Sequence, residues 1–168
     1  MTSVNGLSGD IDRESAGLHV AALLGLVLGR LRHEILQDSE AAFPGLRVSH
    51  FRVLELIPAD GARITDLAEA AGMTKQGLGQ HIDYLQELGF TESDRLPDDR
   101  RVRLVRRTAK GDEAVDFSRR AIARVERIWG EQLGAERYAA LREALLDLGL
   151  QAGAESQPAR YVAMLTAM

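Results

Sequence analysis

The sequence contains no cysteine. Disulfides, thiolate nucleophiles, thiol redox sensing and Cys-ligated zinc are therefore excluded. A long hydrophobic run is also missing. The most apolar stretch, residues 16–29, is interrupted by His19 and falls short of the roughly 20 residues that a bilayer span needs. No basic leader segment or small-residue cleavage pattern precedes it, so a soluble, cytoplasmic protein with no membrane partner is expected. Enzyme signatures are lacking too. No Ser/His/Asp arrangement, phosphate-binding glycine loop or paired-carboxylate motif stands out, and no catalytic activity is expected. Histidine is sparse: His19 and His33 share one predicted helix and His50 begins the next. None of these three stands four residues from another, the spacing that would favour a metal, so no metal and no cofactor are expected. His19, His33 and His50 are retained only as candidate contacts for a small-molecule effector.

At 168 residues the chain is long enough to bury one sizeable core without cross-links. Its formal net charge is −4, but the charge is unevenly spread. Residues 95–110 carry seven basic residues against Asp98 and Asp99, a local +5 that leaves −9 for the remainder. A basic stripe on an acidic body suits a polyanion touched at one place, with repulsion elsewhere disfavouring wrong orientations. The competing reading is a solvated arginine face held by intramolecular carboxylates.

Six helical segments and one hairpin follow from the patterning. Residues 1–14, rich in Gly, Ser and Asp, read as a flexible tail. Over 15–37, Val20, Leu24, Val27, Leu28, Leu31 and Ile35 follow the three-four spacing of an amphipathic helix. Phe43-Pro44-Gly45 ends that region. Ser49 is the expected N-cap of a second helix carrying Phe51, Leu54 and Ile57, closed by Pro58-Ala59-Asp60-Gly61.

The next segment has the form of a helix-turn-helix. Thr65 is expected to cap a short helix over 66–71, and Gly72 supplies a permissive turn. Thr74 caps the following helix, 75–88. Its Leu78, Ile82, Leu85 and Leu88 form the buried face. The other face presents Lys75, Gln76, Gly77, Gln80, His81 and Tyr84. Lys and Gln can hydrogen-bond base edges, while Thr74 and the free amides at the helix start suit phosphate. Gly77 and Gly79 each lower helix propensity by roughly 1 kcal/mol relative to Ala, and close approach of backbone to DNA or to the preceding helix is the expected compensation.

After Gly89 the pattern becomes extended. Residues 90–94 and 101–107 read as two strands joined at Pro97-Asp98-Asp99. Val102, Leu104 and Arg106 fall on one face of the second strand, and Arg103, Val105 and Arg107 on the other. Arginines on such a ribbon suit the minor groove and its flanking phosphates.

These residues now carry a resemblance. Phe51-Arg52-Val53-Leu54, Ile64-Thr65-Asp66-Leu67-Ala68, Thr74-Lys75-Gln76, Asp98-Asp99-Arg100-Arg101 and Thr108-Ala109-Lys110-Gly111 resemble, in order and spacing over about residues 16–150, the MarR family of bacterial transcription regulators. The resemblance implies a mainly α fold with a small two-stranded β wing, a winged helix-turn-helix with N- and C-terminal dimerisation helices. A single domain would span 15–168, with the winged lobe at about 48–108 and dimerisation helices at about 15–38 and 109–168. Double-stranded DNA with a pseudo-palindromic operator would be the partner. Thr74, Lys75, Gln76, Gly77, Gln80, His81 and Tyr84 would serve the major groove, and Arg95, Asp99, Arg100, Arg101 and Arg103 the wing. Arg101 would occupy the minor groove, braced by Asp99 through charge-assisted hydrogen bonds. Ser93 and Asp94 stand where the family often has arginine, and Arg107 stands where an aliphatic residue usually precedes the threonine.

The remaining helices fit a homodimer. Thr108 is expected to cap a long helix over 109–133, with Val115, Ile122 and Trp129 at intervals of seven. A final helix aligns Tyr138, Leu141, Leu145 and Leu148 as a coiled-coil-like seam. Arg120, Arg124 and Arg127 form a stripe expected to pair with Asp116, Glu126 and Glu131. Tyr161, Val162, Met164 and Leu165 add an apolar tail suited to a partner subunit. Together these features imply a dimeric repressor released by a small-molecule effector. The alternative is a winged-helix interaction module without DNA binding, against which the Asp99 and Arg101 pair argues.

Overall fold

A computed structural model describes residues 17–37, 39–95 and 102–150. The tail 1–14, the wing tip 96–101 and the apolar segment around Tyr161 lie outside the described residues. The architecture is mainly α, with a small antiparallel sheet.

Helix α1 spans Val20–Gln37. His19 precedes it and accepts the Ala22 amide through Nδ1 at 3.1 Å, satisfying one of the donors that a helix start leaves free. A one-turn helix, α2 (Ser39–Ala42), follows. It is too short to register as a periodicity, which is why the pattern passes over it. Helix α3 spans Val48–Leu56. Its N-cap is Arg47 instead of the expected Ser49: the Arg47 backbone is extended, and its amide donates to His50 Nδ1 at 3.0 Å. The acceptor comes from inside the first turn, a role histidine can fill and Ser49 does not need to.

Helix α4 (Ile64–Ala71) and helix α5 (Lys75–Glu87) form the helix-turn-helix. Arg63 caps α4, displacing Thr65, whose hydroxyl donates to Asp66 instead. The reason is that a strand, β1 (Ala62–Arg63), runs directly into the helix. Gly72 terminates α4 at φ 67 and ψ 31, a left-handed conformation that glycine adopts without steric cost. Thr74 caps α5 as expected, its Oγ1 accepting the Gly77 amide at 3.1 Å.

The sheet has three strands, not two. β2 (Thr91–Arg95) and β3 (Arg103–Arg107) form the wing, and β1 pairs with the other edge of β3, giving the order β1-β3-β2. Ala62 lies opposite Val105 and Arg63 opposite Leu104. A two-residue strand carries no alternation, so nothing in the sequence distinguishes it from a loop.

Helix α6 (Ala109–Leu133) begins at its Thr108 cap and ends at Gly134, within the expected bounds. Helix α7 spans Ala135–Leu150. The core gathers where α3, α4, α5, the sheet and the first half of α6 meet. Leu54, Leu78, Ile82, Leu85 and Val105 are wholly buried, each contributing about 1.5–3 kcal/mol by leaving water. Phe43 stands edge-on to Phe51, Phe90 and Phe117, with ring centroids 5.4–6.2 Å apart. Gly111 marks the tightest joint. A Cβ there would collide with the Phe90 carbonyl oxygen, so α6 approaches the wing root closely only because this residue has no side chain.

Helices α1 and α7 are different in kind. Val20 and Leu26 on α1 and Leu146 and Leu148 on α7 are all more than half exposed, and none of the described side chains of α7 is buried. Among the described residues no helix is long and apolar enough to cross a membrane.

Candidate nucleic-acid interface

Helix α5 presents Lys75, Gln76 and Gln80 as exposed side chains, with Thr74 at its start. Together with Ile64, Gly79, Asp83 and Arg103 they line an open concavity of about 640 Å³ between α5 and the wing root. Its polar side chains are the Lys75 ammonium, the Gln76 and Gln80 carboxamides, and the paired Asp83 carboxylate and Arg103 guanidinium. Carboxamides can pair bidentately with adenine, and an ammonium with guanine or phosphate.

The other flank of α5 turns inward to α3. Gly77 is half-buried. His81 stands edge-on to His50 at 5.3 Å between centroids. Tyr84 lies 4.9 Å from the same ring, and its hydroxyl donates to the Gly45 carbonyl at 3.0 Å. These contacts hold α5 against α3. His50 is buried, and burial first, then the charges of His81 and Arg47, lower its pKa from 6.5 to about 4, so its ring is neutral at physiological pH. The three histidines considered as effector contacts are not gathered at one site: His19 caps α1, His33 Nε2 is bonded to Gln37, and His50 packs on α5. Among the described residues no group of three His, Asp or Glu side chains is disposed to hold a metal ion.

The basic stripe is used differently from its charge count. Arg103 donates to Asp83 at 2.6 Å and to Gln86 at 3.1 Å, tying β3 to α5. Arg106 pairs with Asp94 across the wing at 3.0 Å. Arg107 is largely buried; it pairs with Asp112 at 2.6 Å and donates to the carbonyls of Leu54 and Ile57 at the end of α3. Lys110 donates to the Leu88 carbonyl at 2.9 Å and lies over the Phe90 ring. These four basic residues thus bond within the fold, tying the wing to α5, to α3 and to the start of α6. Arg95 is exposed at the end of β2, opposite Arg103. Asp99, Arg100 and Arg101 fall outside the described residues. On α6, Arg127 pairs with Glu131 as expected, whereas Arg124 reaches Glu34 of α1 and Arg119 pairs with Glu55 of α3.

Sequence reasoning overlooked Asp83 and Arg47. Asp83 carried a signal, since it sits three residues beyond Gln80 on the exposed side of a predicted recognition helix. Its partner Arg103 became visible only once the strand register was known.

No protein-family model matches the sequence, and no curated protein matches it. Solved structures do. The transcriptional repressor CouR bound to a 23-mer DNA duplex matches with a TM-score of 0.67 and 24% identity, covering 80% of this chain and 94% of that one. The chain has the MarR fold. The reduced form of MarR from E. coli matches with a TM-score of 0.67 at 20% identity, over 78% of this chain and 96% of that one. CouR from Rhodococcus jostii RHA1 bound to p-coumaroyl-CoA matches with a TM-score of 0.61 at 20% identity, over 77% and 91%. In the terms of the MarR fold, α4 and α5 are the helix-turn-helix, β2 and β3 the wing, and α1, α6 and α7 the helices outside the winged lobe.

Proposed function

We propose that this chain is a MarR-family transcription regulator: a cytoplasmic, non-enzymatic homodimer that binds a pseudo-palindromic duplex and is released from it by a small-molecule effector. The observation that carries this reading is the exposed face of α5, where Lys75, Gln76 and Gln80 stand beside a Thr74-capped helix start and next to a wing. CouR, which shares the fold, is a repressor seen on duplex DNA. Lys75, Gln76 and Gln80 would read base edges in the major groove. Thr74 and Gly77 would let the helix start approach a phosphate. Arg101 would enter the minor groove, with Asp99 bracing it and Arg95 and Arg100 on the flanking backbone. Arg103 would act through Asp83, and His81 and Tyr84 through the seating of α5 on α3.

The dimer reading is supported by α1 and α7, whose exposed leucines would be costly to leave in water. Two copies of α5 related by a twofold axis would meet half-sites about 34 Å apart. The effector reading is supported by a cavity of about 520 Å³ between α1, α3 and α6, with Leu31, Ile35, Phe51 and Ile122 among its lining residues. One oxygen of Glu55 in its wall is bonded to Arg119, and the other is buried without a protein hydrogen-bond partner among the described residues. CouR is known with p-coumaroyl-CoA bound.

The experiment that tests the reading is selection of duplexes from a random pool, followed by titration of the enriched duplex against a scrambled one at two salt concentrations. A regulator prefers the enriched duplex at both. A winged-helix interaction module would enrich no sequence.

A further inference from the structure

One buried ring joins the start of α3 to the outer flank of α5. His50, only 6% exposed, accepts the Arg47 amide through Nδ1 at 3.0 Å, in the first turn of α3. From α5, His81 meets the same ring edge-on at 5.3 Å between centroids, and Tyr84 lies tilted against it at 4.9 Å. His81 and Tyr84 are three residues apart and so share one flank of their helix. The Tyr84 hydroxyl donates to the carbonyl of Gly45, two residues before Arg47, which closes the joint.

A neutral imidazole that accepts at Nδ1 carries its proton on Nε2. A second proton must go to Nδ1, where it faces the Arg47 N–H donor to donor. The protonated ring cannot hold that amide. Among the described residues the titratable and charged groups facing it are His81 and Tyr84 from α5 and Arg47 from the segment before α3. Arg32 of α1 and Arg52 of α3 border the concavity beside His81, and no Asp or Glu among the described residues lines it. Burial first, then His81 and Arg47, disfavour a proton on His50. We propose that His50 is a proton-sensitive joint: neutral, it seats the outer flank of α5 on α3; protonated, it leaves the joint and α5 loses that support.

Leu78, Ile82 and Leu85 keep the opposite face of α5 in the core, so the change is a shift of the helix on its seat and not unfolding. Lys75, Gln76 and Gln80 ride on the same helix. If they read base edges, acid displaces them, and by linkage proton and DNA weaken each other by the same factor. This consequence rests on the DNA-binding reading; the joint does not.

The test titrates the full chain by NMR, and its affinity for the selected duplex by anisotropy, from about pH 7.5 to about pH 4.5 at constant ionic strength. The Arg47 amide and the Tyr84 ring are expected to shift together with the His50 ring, at one midpoint between about 4 and 6.5. The Val125 amide of α6 should stay in place. In His50→Gln, whose carboxamide accepts the Arg47 amide without titrating, the Arg47 and Tyr84 shifts should vanish. His81→Gln removes a neighbouring charge and should raise the His50 midpoint. Acid should weaken duplex binding by wild type about threefold relative to His50→Gln. Arg47 and Tyr84 resonances that ignore the titration of His50, or that keep the wild-type shift in His50→Gln, would overturn the joint. So would shifts that vanish in His81→Gln, because the proton would then act at His81. If His50→Gln does not fold, His81→Gln decides: a His50 midpoint unchanged or lowered overturns the joint. Equal acid profiles of duplex binding in wild type and His50→Gln overturn the coupling to DNA. A wild-type chain that binds no duplex removes the proposed function and leaves the joint to be judged on the NMR titration.

Discussion

Arg103 of β3 and Asp83 of α5 form a 2.6 Å ion pair that fixes the wing against α5. Asp83 is largely exposed and stands in the same concavity as Gln76 and Gln80. Its charge would repel DNA if Arg103 did not neutralise it. Arg103→Gln is therefore expected to weaken DNA binding by more than the loss of one cation would suggest. Asp83→Asn should strengthen nonspecific binding, and the double variant should lie between them. The folding stability of each should change by only about 0.2–1 kcal/mol, as for exposed pairs generally. Fluorescence anisotropy on the four proteins completes the cycle, and additive effects on DNA binding would mean that the pair does not act as a unit.

Arg107 is expected to matter for stability, not for DNA. Its guanidinium satisfies the carbonyls of Leu54 and Ile57 and pairs with Asp112. Arg107→Leu removes the guanidinium donor from the Ile57 carbonyl and from the Leu54 carbonyl, which keeps only the Ile57 amide, and takes away Asp112's ion-pair partner, at a cost of about 2–4 kcal/mol in urea unfolding. Nonspecific DNA affinity of the folded variant should change less than twofold.

The two kinds of helix glycine should respond oppositely to alanine. Gly111→Ala drives a methyl into the Phe90 carbonyl and should cost more than about 3 kcal/mol. At Gly79 a Cβ meets only Ile64 Cδ1, at 4.0 Å. Gly79→Ala should therefore stabilise the fold by up to about 1 kcal/mol. The preceding helix does not require this glycine, so if Gly79 is needed at all, the need should appear as weaker DNA binding in the stabilised variant.

His50 makes the fold acid-sensitive. Its folded pKa, about 4, lies below the ordinary 6.5. Between these values the unfolded chain binds more protons than the native one. The stabilisation is complete above about pH 6.5 and is lost as pH falls toward 4. Thermal melts from neutrality to about pH 4 should show a falling midpoint in the wild type. In His50→Gln, where a carboxamide can still accept the Arg47 amide, the fall should be shallower; an identical slope would remove His50 as its cause.

Much of this organisation is legible in the residues. The buried face of α5, the Thr74 and Thr108 caps and the bounds of α6 follow from local patterning that tertiary packing leaves intact. The caps of α3 and α4 do not, because His50 and the two-residue strand β1 supply alternatives that only the packed structure reveals. The basic stripe is the instructive case. Its charge can be counted along the chain, but whether an arginine meets DNA or a carboxylate depends on register and on which helix lies opposite. Arg103, Arg106, Arg107 and Lys110 all find partners within the fold. Arg107, standing where the resemblance leads one to expect an aliphatic residue, is accommodated by pairing with Asp112.

Whether α5 and the wing tip bind duplex DNA is read most directly from the salt dependence of affinity for a selected duplex, compared among wild type, Gln76→Ala and Arg101→Ala. DNA binding by α5 and the wing tip predicts a log-log slope that becomes shallower by about one unit in Arg101→Ala. It also predicts that Gln76→Ala keeps the slope but loses about 1–3 kcal/mol of discrimination against the scrambled duplex. Wild-type slope and affinity in Arg101→Ala, together with equal losses on both duplexes in Gln76→Ala, would contradict it.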